Sequence, residues 1–160
     1  MPEHGYSNKD EKGFTLLEVL ASIAIFAILM VLTVANLSQY RNTQVLNGEG
    51  AQIVAILSKA RSLTLASRSQ LSYGVRLNTD RAILYALPTF ASSTATNEEY
   101  IFHPSVRLSN ISLAGGGLDI SFARLTGETA EYGTFRIELS PDPSQYYTIE
   151  VKETGIVAKQ

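Results

Sequence analysis

The chain has 160 residues, a formal net charge of −2 and a hydrophobic fraction of 45%, which suits one modest globular domain plus a long helix and no more. Its 13 basic and 15 acidic side chains are interspersed, leaving no polybasic footprint for nucleic acid or anionic lipid. Cysteine is absent, which excludes disulfide frameworks, thiolate zinc sites and cysteine nucleophiles together.

Residues 1–13 are largely polar, with His4, Asn8, Lys9, Asp10, Glu11 and Lys12, and offer nothing to a core. They read as a leader. A secretory signal would carry a short apolar region followed by a small-residue cleavage site. Here a cut would fall ahead of the apolar run and leave that run in the product. Glu3, Asp10 and Glu11 stand against Lys9 and Lys12, so charge alone does not orient the segment.

From Val19 to Ala35 there is no charged residue. The run approaches the roughly 20 residues that a helix needs to cross a bilayer core of about 30 Å. Residues 14–37 are therefore expected to form a transmembrane or filament-core helix. One carboxylate, Glu18, stands inside its front edge. Thr15-Leu16-Leu17-Glu18 fits a capping box, and a first-turn acid suits the positive end of the helix dipole. A carboxylate within a membrane segment costs about 2.5–3.5 kcal/mol on insertion scales and points to a function.

The stretch Lys12-Gly13-Phe14-Thr15-Leu16-Leu17-Glu18-Val19-Leu20, with the apolar residues that follow it, resembles the N-terminus of type IV pilins and type II secretion pseudopilins. The resemblance implies cleavage after Gly13 by a prepilin peptidase, N-methylation of Phe14, and filament assembly through Glu18. The partner of that carboxylate would be the cationic amine of Phe14, in its own or a neighbouring subunit. The resemblance also implies a single pass through the bacterial inner membrane with the C-terminal domain outside, followed by transfer from lipid into a pilus or periplasmic pseudopilus. Further implied partners are other pilin or pseudopilin subunits, an inner-membrane platform protein and an assembly ATPase.

Helical periodicity continues over 38–70. Leu46, Ile53, Leu57, Ala60 and Leu63 recur at spacings of three, four and seven, the stripe of an amphipathic helix. Arg41, Glu49, Lys59 and Arg68 are expected on its polar face. No proline falls between Phe14 and Leu87, so a helix over 14–69 would be about 84 Å long. Gly48 and Gly50 each cost about 1 kcal/mol relative to alanine and mark a soft point. Pilins often carry a proline some way into this helix; Ala35 stands at the matching place, so no proline kink is expected.

Beyond Leu71 the period becomes alternating. Segments 72–77 and 82–87 flank Asn78-Thr79-Asp80-Arg81 as a hairpin. Further strands are expected over 100–102, 106–113, 118–122, 134–139, 146–151 and 156–158. Gly115-Gly116-Gly117 and Pro141-Asp142-Pro143 serve as turns, and Lys152-Glu153-Thr154-Gly155 closes a last hairpin. Phe135, Ile137 and Leu139 alternate with Thr134, Arg136 and Glu138, so one face should be buried and the other wet. The loop over 88–99 should be exposed. The expected fold is α+β and pilin-like, a long N-terminal helix packed on an antiparallel β domain over 71–160. Ala60-Arg61-Ser62 near the helix end, a Tyr-Gly-Val strand and the terminal hairpin are similar to the minor pseudopilin H and FimT-type group.

Catalytic chemistry is missing from this pattern. Beyond the leader the one histidine is His103, which precedes Pro104 and reads as a turn residue rather than a triad base. Gly115 to Gly117 lack the Lys and Ser/Thr of a phosphate loop. Asp142 invites a Ca²⁺ reading, yet that ion wants six to eight oxygens and no dense acidic run exists. Tyr146 and Tyr147 suggest stacking on a base or sugar, although alternation sends one of them to the core. Arg61, Arg68, Arg76 and Arg81 read as scattered solvated residues rather than a DNA stripe. No enzyme activity, cofactor or metal is expected. The leading function is a structural filament subunit, major or minor; the alternatives are a singly anchored periplasmic binding module and a DNA-uptake minor pilin.

Overall fold

The computed structural model describes residues 14–66, 71–86, 90 and 97–160, with residues 33–39 described in backbone only. The chain divides into two compact units, Met1–Gln39 and Tyr40–Gln160. Helix α1 (Leu16–Ala66) is continuous through Gly48 and Gly50, so the glycines do not break it. Thr15 caps its first turn: the Thr15 hydroxyl accepts from the Glu18 N–H at 3.3 Å, which satisfies an amide that the helix itself leaves orphaned.

Among the described residues of the second unit eight strands follow: β1 (Tyr73–Leu77), β2 (Arg81–Ala86), β3 (Glu98–Ile101), β4 (Val106–Leu113), β5 (Asp119–Ser121), β6 (Gly133–Leu139), β7 (Tyr146–Val151) and β8 (Val157–Lys159). They form two four-stranded sheets, ordered β3-β2-β1-β5 and β4-β6-β7-β8, with every pairing antiparallel. The expected strands all occur, two with unchanged ends and the others with ends moved by at most two residues. Glu98 and Glu99, expected in a loop, lie in β3 because they pair with Leu84 and Ile83 of β2.

The helical part of this unit and both sheets share one core. Leu46, Ile53, Leu57 and Ala60 are buried as the stripe requires. Leu63 is only half-buried, and Ile56 and Thr64 complete the stripe instead. Thr64 is tolerated there because its polar group is paired: the hydroxyl donates to the Ala60 carbonyl at 2.9 Å and accepts from the Tyr73 N–H at 2.9 Å. That side chain thus ties the helix end to the start of β1. The same core takes Val75, Leu77 and Ile120 from one sheet, Phe122 just beyond β5, and Phe135, Ile137, Leu139, Ile149 and Val151 from the other sheet. Each such side chain, fully buried, contributes about 1.5–3 kcal/mol.

Gly50 has a packing reason rather than a softening one. A Cβ there would lie 3.1 Å from Lys159 Cδ and 3.9 Å from Ile137 Cγ2, so glycine lets sheet residues approach the helix backbone. Gly48 faces open space. The alternation over β6 holds for its apolar members but fails at Glu138, which is 6% exposed. Arg107 Nε donates to its carboxylate at 2.8 Å and the Ser109 hydroxyl at 2.6 Å. These bonds, the hydroxyl's first, hold the Glu138 carboxyl below the usual range and offset the cost of burying it.

Candidate functional site

The site begins where the leader would end. Gly13 lies outside the described residues. Phe14 is 82% exposed, and α1 begins two residues later. Thr15 and Glu18 form half of the expected capping box. The Thr15 carbonyl accepts from the N–H groups of Glu18 and Val19 at 3.1 and 3.2 Å, and the Thr15 hydroxyl also takes the Glu18 N–H. The Ser22 hydroxyl donates back to the Glu18 carbonyl at 2.8 Å. Backbone groups of this turn are thereby satisfied locally. The Glu18 side chain is exposed, and among the described residues no group hydrogen-bonds or pairs with its carboxylate.

Every residue over 14–32 is exposed, including Leu16 and Leu17 at 78% each and Val31 at 71%. A helix that is apolar all round belongs in lipid or among other helices. Among the described residues, no helix is long and apolar enough to cross a membrane; the side chains of residues 33–39, which extend the run in sequence, fall outside them. The geometry therefore presents an apolar helical surface with one carboxylate in its first turn. What it can do chemically is bury that surface and neutralise that charge with a cation brought from elsewhere.

The other residues weighed for chemistry are engaged in structure. His103 Nδ1 accepts from the Ser105 N–H at 3.2 Å, which stabilises a turn. Both Asp142 carboxylate oxygens are occupied, one by the Ser144 hydroxyl at 2.6 Å and the other by Gln145 Nε2 at 2.9 Å. These bonds lower the carboxyl's pKa, the Ser144 hydroxyl contributing most. Among the described residues no cluster could hold a metal ion. Arg76 pairs with Asp119 at 3.3 Å, and Arg81 with Asp80 and Glu99 at 2.8 and 3.1 Å; Arg68 lies outside the described residues. Arg61 is not a solvated residue: it donates from Nε to the Gly127 carbonyl at 3.0 Å. Each of these three described arginines is thus engaged by an acid or a carbonyl of the domain itself.

Two polar-face residues of α1 also have partners. Glu49 accepts from the Tyr100 hydroxyl at 2.9 Å and the His103 N–H at 3.1 Å. Desolvation, with that bond, pushes the Tyr100 pKa up to about 12. Lys59 pairs with Glu98 at 2.6 Å. Both contacts span about forty to fifty positions of sequence, which is why periodicity placed these residues merely in solvent. Tyr146 is 42% exposed with Arg136 over its ring at 4.2 Å, while Tyr147 packs against the core.

Residues 8–34 match the prokaryotic N-terminal methylation motif. The fold is similar to that of the type IV minor pilin FimU of Pseudomonas aeruginosa (strain PAO1), with a TM-score of 0.56, 11% sequence identity, and coverage of 72% of this chain and 92% of that one. Among curated proteins no sequence matches. The front of this chain thus matches a prokaryotic N-terminal methylation motif, and its fold, a long N-terminal helix on antiparallel β-sheet, is pilin-like.

Proposed function

We propose that this protein is a structural subunit of a type IV pilus or type II secretion pseudopilus, and a minor one. The single observation that carries the reading is the methylation motif over residues 8–34 set on a helix whose surface over 14–32 is wholly exposed. The likeness to a minor pilin favours the minor assignment. A prepilin peptidase removes residues 1–13 after Gly13 and Phe14 becomes the methylated N-terminus. Until assembly, residues 14–37 rest in the bacterial inner membrane and the β domain lies outside it. The platform protein and ATPase of the assembly machinery then move the helix from lipid into a bundle of other pilin helices.

Within that bundle the exchange of lipid for helix contacts is close to neutral for apolar groups, so a polar pair can decide register. Methylation keeps the Phe14 amine cationic. An amine and a carboxylate about 4 Å apart attract by roughly 4 kcal/mol at an effective dielectric of 20, less the cost of desolvating both. Glu18 is thus the group that selects one stagger between neighbours. Co-expression with a prepilin peptidase tests this directly: the mass should fall by residues 1–13 and rise by one methyl group. A protein recovered from filament-producing cells with its leader intact would overturn the proposal.

A further inference from the structure

The sheet β4-β6-β7-β8 has one face in the core and one turned outward. Phe135 and Ile137 are fully buried, so alternation along β6 sends Thr134, Arg136 and Glu138 to the outer face. Register then sets Ser109 of β4 and Thr148 of β7 on either side of Arg136, with Tyr146 beside Glu138. Several polar groups here are engaged. Glu138 accepts from Arg107 Nε and the Ser109 hydroxyl, and Gln160 Nε2 donates to Glu150 at 2.9 Å. None of these bonds uses Arg136, Thr134 or Thr148. Among the described residues Arg136 forms no ion pair. Its guanidinium lies 4.2 Å over the Tyr146 ring and acts on Glu138 through its charge alone. Stacking fixes the plane of a guanidinium and leaves its N–H edge free for a planar acceptor.

We propose that this outer face binds a uronic-acid saccharide, with Arg136 taking the sugar carboxylate in a bidentate pair and the Thr134 and Thr148 hydroxyls bonding those of the sugar. The chemistry of the face selects that class. At its paired positions the only aliphatic side chain is that of Ala158, so it lacks the apolar centre of a protein interface. Its two arginines, Arg107 and Arg136, are balanced by Glu138 and Glu150. A nucleic-acid backbone draws its affinity from several unmatched cations and finds no such field here. What remains is one forked cation among neutral hydroxyls. A carboxylate matches that fork in charge and geometry, and a sugar offers donors and acceptors to hydroxyls that act as both. This binding does not require the chain to polymerise.

The test is titration calorimetry on the full chain in detergent with a galacturonic acid oligomer, its methyl ester and a duplex DNA oligonucleotide. The acid should bind. The ester, which keeps every ring hydroxyl and loses the charge, should bind about ten- to a hundredfold more weakly, the range for a hydrogen bond to a charged group. Arg136→Gln should lose affinity for the acid by a similar factor, while Arg124→Gln, exposed and outside this face, should not change it. Because Arg136 also packs on Tyr146, Thr148→Val guards against a folding defect. It keeps the strand's shape and should retain the melting temperature while weakening binding about three- to tenfold, as for one neutral hydrogen bond. Equal binding of acid and ester, undiminished affinity in Arg136→Gln or Thr148→Val, tighter binding of DNA, or no binding of the acid at millimolar concentration would overturn the proposal. Each of those results leaves the filament role standing, since leader cleavage and methylation test that role separately.

Discussion

Gly155→Ala probes how tightly the end of the domain is braced, and Gly115→Ala is its internal control. Both glycines hold left-handed backbone, at φ of +74° and +88°. An alanine pays about 1–2 kcal/mol for that conformation at either place. At Gly115 nothing lies within 4 Å of the added Cβ, whereas at Gly155 the Gly127 carbonyl oxygen would be 1.9 Å away and Arg61 Nε 2.9 Å. The turn over 123–128 must therefore move, and its bond from the Arg61 guanidinium is lost. A hydrogen bond to a charged group contributes about 1.5–3 kcal/mol. The two substitutions should thus differ by about 2–3 kcal/mol, or roughly 6–12 °C in melting temperature for a domain of this size. Thermal unfolding followed by circular dichroism on the full chain in detergent would measure the difference. Equal losses at the two sites would refute the close approach on which the bracing depends.

Glu18→Ala should leave cleavage and methylation intact and abolish entry into filaments, read by mass spectrometry of purified filaments; undiminished entry would remove the carboxylate from assembly. Gly48→Ala, in open space within a helix, should stabilise the domain by about 0.8–1 kcal/mol, and destabilisation in chemical denaturation would contradict an uninterrupted α1. Glu138→Gln should show a pH-dependent deficit. The folded carboxyl titrates below its ordinary value of 4.5, so its stabilisation is present in full above 4.5 and is lost as pH falls through the lower folded value. Native and variant melting temperatures should therefore differ at pH 7 and draw together in acid; a gap independent of pH would refute the Arg107 and Ser109 pairing.

Much of this molecule is legible in its linear order because the signals are local. Thr15 and Glu18 are three residues apart, and a cap needs no more than a turn of chain. The stripe through Leu46, Ile53, Leu57 and Ala60, and the alternation of Phe135, Ile137 and Leu139, follow from the repeat of helix and strand. Hairpin turns such as Asn78 to Arg81 announce themselves by residue type. So do the methylation motif and the α+β class.

Other features depend on contacts between distant segments, which periodicity does not encode. Glu49 finds Tyr100, Lys59 finds Glu98 and Arg61 finds Gly127 only once the sheets close on the helix. Glu138 sits at a position that alternation assigns to solvent, and its burial depends on Arg107 and Ser109 across a strand pair. The division of eight strands into two sheets is likewise a matter of pairing partners. Gly50 carries the same lesson: by propensity it weakens a helix, and only the approach of Lys159 and Ile137 shows why a side chain is missing there. The sequence by itself determined which segments would be helix, strand and turn, because those choices answer to neighbours a few residues away. The tertiary structure decided which polar groups would be buried and how each is satisfied, because a charge can leave water only when a partner from elsewhere in the chain is brought to it.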